Sequence, residues 1–293
     1  MPLASIGGKI IVLGEHAVVY GHMALAGAMD TKVHCSATPS PETSLLVPAW
    51  GIDAKESDND LLGQALRALR SAAQVDPALL QVETTLPAAA GLGSSAALSL
   101  AIAMALRPDA SSKEHREIAA AGEACFHSAP SGIDVALCQH GGIATYVKNG
   151  GLTEMDVPPL SLVVGLSGLP RSTATQVAGV ARRMKDPLTV AAIAKIGDIA
   201  IDGSEALRHG DLPALGTYMN QCHDALSDLG VSIDALDTMV AAAREAGALG
   251  AKLTGAGGGG AMIALAPGNE PHVQSALEAL GYQAFTTRLG AHQ

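Results

Sequence analysis

Residues 87–97 read Pro87-Ala-Ala-Ala-Gly91-Leu-Gly93-Ser-Ser-Ala-Ala97, a glycine-containing loop between two regular elements. The preceding residues 81–86 alternate polar and apolar side chains, which predicts a half-buried strand. The following residues 96–106 are rich in helix formers and contain neither Pro nor Gly. The sequence therefore predicts strand, glycine loop and helix, with glycines that can adopt positive φ and approach a ligand closely.

This loop has the features of a phosphate-binding site. Ser94 and Ser95 fall where helix N-caps fall, so free backbone N–H groups and the positive end of the helix dipole would face an anion. The loop is not a Walker motif, because no Lys-Ser/Thr pair follows the second glycine, and it is not a GxGxxG fingerprint. Considered alone, an ordinary glycine-rich turn with a serine cap explains it equally well.

Two further segments support the phosphate interpretation. Near the C-terminus, residues 252–260 read Lys-Leu-Thr-Gly-Ala-Gly-Gly-Gly-Gly and precede an apolar run. So many glycines cost backbone entropy and exceed what a hairpin needs, which indicates backbone that passes close to another group. Near the N-terminus, Lys9 opens an apolar strand that ends at Gly14, and a Glu-His pair follows at the turn before a second short strand.

In chain order, residues 7–21, 87–97 and 252–260 resemble the first, second and third motifs of the GHMP kinases, and most closely those of the mevalonate kinases among them. The resemblance extends over essentially the whole chain. It implies a two-domain α+β GHMP kinase fold. Residues 1–150 would form an N-terminal mixed α/β domain with a left-handed-type βαβ phosphate loop, and residues 151–293 a C-terminal ferredoxin-like α/β domain with the third motif. It also implies ATP-dependent phosphorylation of the 5-hydroxyl of mevalonate, in isoprenoid biosynthesis, with Mg²⁺ as cofactor.

The resemblance assigns catalytic and metal-binding roles to four residues. Asp134, in the segment Pro-Ser-Gly-Ile-Asp, matches the catalytic aspartate, which would accept the proton of the attacking hydroxyl or orient that hydroxyl. Lys9 matches the first-motif lysine and would lie near Asp134. Ser95 and Glu123 would supply hard oxygen ligands to Mg²⁺. Without the family pattern, Asp134 would be interpreted as a helix cap and Glu123 as a solvated carboxylate.

The resemblance also assigns the residues that contact ATP and the alcohol substrate. The phosphates of ATP would contact the second and third motifs, at Ala89, Ala90, Gly91, Leu92, Gly93, Ser94, Ser95, Gly255, Gly257 and Gly258. The alcohol substrate would contact Glu15, His16, Arg171 and Thr173. Arg171 is the candidate for the mevalonate carboxylate, because a guanidinium binds a carboxylate with two hydrogen bonds. Lys32 is an alternative, and a structural histidine bonded to backbone is an equally good interpretation of His16.

The composition agrees with a folded enzyme. Of the 293 residues, 48% are hydrophobic and 16% charged, which favours a large core over disorder, and the net charge of −10 argues against a general nucleic-acid binder. The longest uncharged helical stretch, residues 94–106, is too short to span a bilayer, and residues 1–6 lack the features of a secretory signal. Four widely spaced cysteines without a CxxC pair predict free thiols in a reducing cytoplasm.

Periodicity and punctuation predict the elements between the motifs. Strands are predicted at residues 10–13, 33–37, 82–86, 143–147 and 160–165. Helices are predicted at residues 59–72, 94–106, 112–125, 175–184, 187–208, 212–229 and 233–246. The C-terminal end is predicted to run strand, glycine loop, strand, helix, strand. Residues 149–151 and 158–159, rich in Gly and Pro, mark the expected domain boundary.

Other functions are less compatible with these motifs. A phosphomevalonate, homoserine or sugar kinase is the nearest alternative, although galactokinases carry a first motif with Arg and Asn that residues 7–13 do not match. A non-catalytic, ligand-sensing relative would have lost Asp134, Glu123 or Lys9, and all three are present. Gly7 stands where the family usually has Pro, which leaves Lys9 in place. A homodimer is common in the family.

Overall fold

The structure is a computed structural model that describes residues 4–126, 133–169 and 172–291. The chain divides into two compact units. The first is built from the segments Met1–Gly8, Thr31–Ala88 and Gly93–His140, and the second from Lys9–Asp30, Ala89–Leu92 and Gly141–Gln293. The predicted division at residue 150 cuts the sequence once, whereas these units are interleaved along it, and that division stays a prediction.

Strands of the first unit form a sheet in the order β4, β3, β5, β2. The strands before residue 100 are β1 (Ala4–Leu13), β2 (Met23–Pro39), β3 (Ser44–Val47), β4 (Ile52–Lys55) and β5 (Ala78–Thr84). β3 is antiparallel to β4 and parallel to β5, and β5 is antiparallel to the second half of β2, with Val33 opposite Thr84. β1 pairs with β2, and both strands contribute residues to both units.

The described residues of the first unit also form the α-helices α1 (Leu61–Ala73), α2 (Ser94–Leu106), α3 (Ser112–Phe126) and α4 (Ile133–His140). α1 begins where the Asp60 side chain accepts a hydrogen bond from the Gly63 amide at 2.8 Å, an ordinary N-cap. α2 is apolar on every side and packs against α1, α3 and α4. The predicted core helix is therefore confirmed, and it carries the glycine loop at its N-terminus.

The second unit contains two groups of antiparallel strands. Its strands after residue 140 are β6 (Ile143–Val147), β7 (Gly151–Glu154), β8 (Leu160–Leu166), β9 (Gly250–Thr254), β10 (Ala261–Leu265) and β11 (Gln283–Leu289). β6 lies between β7 and the first half of β2. β11, β8, β10 and β9 follow in that order, and β11 meets β2 where Leu289 lies opposite Met29.

The α-helices in the described part of this unit are α5 (Thr173–Arg183), α6 (Pro187–Arg208), α7 (Leu212–Asp228), α8 (Asp234–Glu245) and α9 (Glu270–Ala279). α7, α8 and α9 pack on the strands, and α6 packs on α7. Asp186 caps α6 by accepting from the Leu188 amide, and a proline follows the cap, where its missing N–H costs nothing. The predicted C-terminal order of strand, glycine loop, strand, helix and strand is confirmed.

The structure corrects several local predictions. The strand after the first motif is not short: residues 17–20 form a 3₁₀ turn, and β2 then runs for 17 residues. Lys9 does not open its strand but lies in the middle of β1. The sequence pattern did not reveal β3, β4, β7 or α4. In the described part of the chain, no helix is long and apolar enough to cross a membrane.

Candidate active site

The glycine loop before α2 has the backbone expected of an anion site. Ala89, Gly91 and Gly93 have φ values of 54°, 84° and 76°, so the chain turns through left-handed conformations where Gly is favoured. Gly93, rather than a serine, occupies the N-cap, and no side chain of the described residues caps the helix. Ser94 and Ser95 instead form its first turn. The backbone N–H groups of that turn form the positive end of the helix dipole, where an anion is stabilised.

Lys9 reaches the same loop from β1. Its backbone amide donates to the Leu92 carbonyl at 2.8 Å, and its Nζ donates to the Gly91 carbonyl at 3.3 Å. The residue is buried, with 3% of its surface exposed. The loop therefore has an ammonium group beside its backbone. The predicted proximity of Lys9 to Asp134 stays a prediction.

The two predicted metal ligands lie together. Glu123 on α3 is buried, and its Oε1 accepts hydrogen bonds from Ser95 Oγ and, at 3.1 Å, from Ser99 Oγ. Ser99 was not predicted, although it lies one helical turn after Ser95 and so on the same face of α2. The described residues contain no cluster of three or more His, Cys, Asp or Glu side chains that could hold a metal. A cation here would therefore depend on phosphate and water for its remaining ligands.

Asp134 lies in the first turn of α4, where the helix dipole favours a carboxylate. α4 packs against α2, and the Cys138 thiol approaches the Gly93 carbonyl at 4.0 Å. The helix with the predicted catalytic aspartate is thus adjacent to the N-terminus of the helix with the glycine loop. The Pro-Ser-Gly segment just before it lies outside the described residues.

The first-motif turn has an unusual backbone. Gly14 has φ 97°, and a Cβ there would lie 2.5 Å from the Met23 carbonyl oxygen, so only Gly fits. His16 has φ 60°, a conformation that few non-glycine residues adopt. Its Nε2 lies 2.9 Å from the Ala256 carbonyl oxygen in the third motif, which identifies Nε2 as the protonated nitrogen. His16 is thus bonded to backbone, as one of its two interpretations required.

The Glu15 side chain, in the same turn, forms a buried ion pair with Lys252. Its Oε1 accepts a hydrogen bond from Lys252 Nζ, and its Oε2 accepts one from the Cys222 thiol at 3.8 Å. The side chains of Glu15 and Lys252 are both 0% exposed. Lys252 also donates to the Leu253 carbonyl at 2.6 Å. The sequence had assigned no role to Lys252.

The third-motif glycines form the loop between β9 and β10. A Cβ on Gly257 would lie 2.1 Å from the Val231 carbonyl oxygen, and one on Gly258 would lie 2.1 Å from Gln176 Nε2. The Gly258 amide donates to that same Val231 carbonyl at 2.8 Å. The close approach that the glycine excess predicted is therefore made, at these two positions, to the chain itself. Contact of Gly255, Gly257 and Gly258 with ATP stays a prediction.

Two buried groups next to Lys252 have displaced pKa values. Burial raises the pKa of the Cys222 thiol to about 12, so this cysteine stays protonated. Burial, followed by the positive charge of Arg244, lowers the pKa of His223 to about 4. His223 accepts a hydrogen bond from the Leu253 amide at Nδ1, at 3.3 Å, and its Nε2 lies 3.1 Å from Asp237 Oδ1. Neutral His223 therefore fixes the backbone of β9 at the start of the third motif.

The remaining predicted substrate residues lie at the start of α5. Ser172 caps this helix by accepting from the Thr175 amide at 3.2 Å, and Thr173 is its exposed first residue. Arg171 lies outside the described residues. The four cysteines are all free thiols, at positions Cys35, Cys125, Cys138 and Cys222.

Comparison with known proteins identifies the family. Residues 60–142 match the GHMP kinases N terminal domain, and residues 204–283 match the GHMP kinases C terminal family. The mevalonate kinase of Pyrococcus abyssi is 33% identical over an alignment of 319 positions, and the alignment covers 98% of this chain and 95% of that protein. The mevalonate kinase of Aeropyrum pernix is 36% identical over an alignment of 316 positions, which likewise covers 98% of this chain and 95% of that protein.

Solved structures agree. The crystal structure of L. major mevalonate kinase in complex with R-mevalonate matches with a TM-score of 0.89 and 26% identity, and the match covers 100% of this chain and 97% of that one. The predicted α+β GHMP kinase fold is thereby confirmed. From its motifs, its fold and its relatives together, the chain belongs to the GHMP kinase family.

Proposed function

We propose that this chain is an ATP-dependent mevalonate kinase. In this reaction the bond between the β–γ bridging oxygen and the γ-phosphorus of ATP breaks, and a bond forms between that phosphorus and the 5-oxygen of mevalonate. The hydroxyl proton leaves, and the products are 5-phosphomevalonate and ADP. One observation carries the proposal: similarity to proteins named mevalonate kinase, at 33% and 36% identity, extends through 98% of the chain.

The glycine loop, Lys9, α2 and α3 supply the groups that phosphoryl transfer needs around the phosphates. The amides of the first turn of α2 and the loop before it would bind the ATP phosphates, and Lys9 adds positive charge at the Gly91 carbonyl. Ser95 and Glu123 offer hard oxygen ligands that already lie together in a buried site, which fits Mg²⁺. When bound, Mg²⁺ would neutralise charge on the phosphates.

Asp134 is the proposed catalytic residue. A carboxylate in the first turn of α4, on a helix packed against α2, would accept the hydrogen bond of the 5-hydroxyl and orient its oxygen toward the γ-phosphorus. Because a loose, metaphosphate-like transition state needs little early proton removal, orientation contributes more than basicity. The proton passes to Asp134 as the new bond forms.

The alcohol substrate is proposed to lie against the first motif and the start of α5. His16 and Thr173 would contact mevalonate, and Arg171 would pair with its carboxylate. Glu15 is also proposed to contact mevalonate, in addition to the hydrogen bonds that its two carboxylate oxygens accept from Lys252 and Cys222. The protein is further proposed to be cytoplasmic and to form a homodimer.

A coupled ADP-release assay across a substrate panel tests the function. We expect the highest kcat/KM with mevalonate and poor turnover of galactose, homoserine and phosphomevalonate. Galactose lacks the carboxylate that Arg171 is proposed to bind, so the guanidinium would be left unpaired. The extra phosphate of phosphomevalonate would occupy the space that the γ-phosphate of ATP needs. A higher kcat/KM with phosphomevalonate or a sugar would reject the mevalonate assignment and favour another kinase of the same family. Light scattering on the purified protein tests the dimer.

A further inference from the structure

Lys252, the partner of Glu15 in a buried ion pair, has no assigned part in the proposed reaction. Both side chains are 0% exposed, and Lys252 Nζ also donates to the Leu253 carbonyl at 2.6 Å. Removing two charges from water is costly, and apolar residues of similar size can often replace such a pair without loss of stability. Stability alone is therefore a poor explanation for this pair.

The pair connects two motifs that are far apart in the sequence. Glu15 belongs to the first-motif turn, and Lys252, 237 positions later, lies in β9 and is the first residue of the third motif. A second link runs parallel to it, since Thr254 Oγ1 donates to the Ile11 carbonyl at 2.9 Å. A third is the bond between His16 Nε2 and the Ala256 carbonyl. Of the three, only the ion pair joins two charged and fully buried side chains.

The turn that Glu15 belongs to needs external restraint. His16 has φ 60°, and residues in sparsely populated conformations persist only where surrounding structure over-determines them. Such strain is concentrated at ligand-binding positions. Glu15, the residue immediately before His16, is the one whose side chain pairs with Lys252. An anchor at Glu15 restrains the backbone of the turn from its buried side.

We propose that Lys252 is a positioning residue, which acts through Glu15 to hold the first-motif turn so that His16 is presented to the alcohol substrate. Lys252 itself does not touch the substrate. The inference rests on the proposed function for the identity of that substrate. The restraint of the first-motif turn by Lys252 does not depend on the proposed function, because it can be measured without an activity assay.

Steady-state kinetics of Lys252→Met test the positioning role. We expect the KM for mevalonate to rise at least tenfold while the KM for ATP stays within threefold, because the anchored turn carries a mevalonate contact. Lys195→Met, which removes an exposed lysine from α6, is the matched control and should behave as wild type. Equal changes in both KM values would overturn the proposal, since a general loss of structure affects both substrates.

A double-mutant cycle with His16→Asn separates action through the turn from independent action. His16 has φ 60° and ψ −46°, and Asn is among the non-glycine residues that adopt positive φ most readily. If Lys252 acts by holding His16, then Lys252→Met should cost less than threefold in kcat/KM in the His16→Asn background. Losses that multiply would overturn the proposal, because Lys252 would then contribute on its own.

Hydrogen exchange supplies a readout without turnover, and it covers the case in which Lys252→Met fails to fold. The double variant Glu15→Met with Lys252→Met removes both charges and should fold. Its amides at Val18 and Val19, which donate to the Gly14 and His16 carbonyls, should exchange at least tenfold faster than in wild type. Wild-type protection there would overturn the positioning role. If the wild-type protein did not phosphorylate mevalonate, only the proposed function would fail.

Discussion

Acid should destabilise this protein through His223, a residue outside the proposed chemistry. Burial, the positive charge of Arg244 and that of Lys252 lower its pKa, and Asp237 and Asp224 oppose them without restoring it, so the folded-state pKa is about 4. The unfolded-state value is about 6.5. Because the folded pKa is depressed, the neutral form stabilises the fold. This stabilisation is present above about pH 6.5 and is lost as the pH falls toward 4.

The size of the effect follows from linkage. With pKa values of about 4 in the folded state and about 6.5 in the unfolded state, the free energy of unfolding should fall by about 2 kcal/mol between pH 8 and pH 5. The atom that would be protonated is His223 Nδ1, which accepts the hydrogen bond of the Leu253 amide in the neutral form. A proton there would break that bond and leave a charge inside the unit.

Urea unfolding of wild type and His223→Gln at pH 8, 6 and 5 measures this contribution. Gln is uncharged throughout and can accept from Leu253, so the variant should lose about 2 kcal/mol less than wild type across this range. His272→Gln, at an exposed position on α9, is the control and should follow wild type. Parallel pH dependences for wild type and His223→Gln would show that His223 is not the titrating group.

Three further predictions concern the proposed reaction. Asp134→Asn should keep ATP binding and lose roughly 10²–10⁴ in kcat, and turnover within about threefold of wild type would exclude it as the catalytic aspartate. Glu123→Gln and Ser95→Ala should raise the Mg²⁺ concentration for half-maximal rate and be partly rescued by excess Mg²⁺, with a smaller increase for Ser99→Ala; Asp134→Asn should show no rescue. Arg171→Met should raise the KM for mevalonate roughly tenfold or more with a smaller change in kcat, whereas an unchanged KM would favour another partner for the carboxylate.

The elements that the sequence predicted well are those with local signals at their ends. α6 begins and ends at the predicted residues, because Asp186 and Pro187 mark its start and the apolar period continues to Arg208. α2 was predicted to the residue because the glycine loop bounds it on one side. In each case, the information lies within a few positions of the boundary.

β2 was missed over most of its length for a physical reason. Its first half, residues 23–29, is apolar, and the six residues 24–29 are buried in succession, so the alternation that indicates a strand is absent. Ala and Gly also have low strand propensity. Pairing with β6 determines this segment, and a partner more than a hundred positions away leaves no local pattern.

The same distinction separates the parts of the candidate site. Ser99 could have been found, since its spacing from Ser95 places both hydroxyls on one helix face. Lys252 could not, because a lysine in a sequence is normally interpreted as exposed and only the folded chain shows its partner 237 positions away. Likewise, the glycine excess predicted close approach, but only the structure shows that Gly257 and Gly258 make that approach to Val231 and Gln176. Glycine-rich loops therefore indicate crowding of the backbone, and the identity of the crowding group must come from the fold.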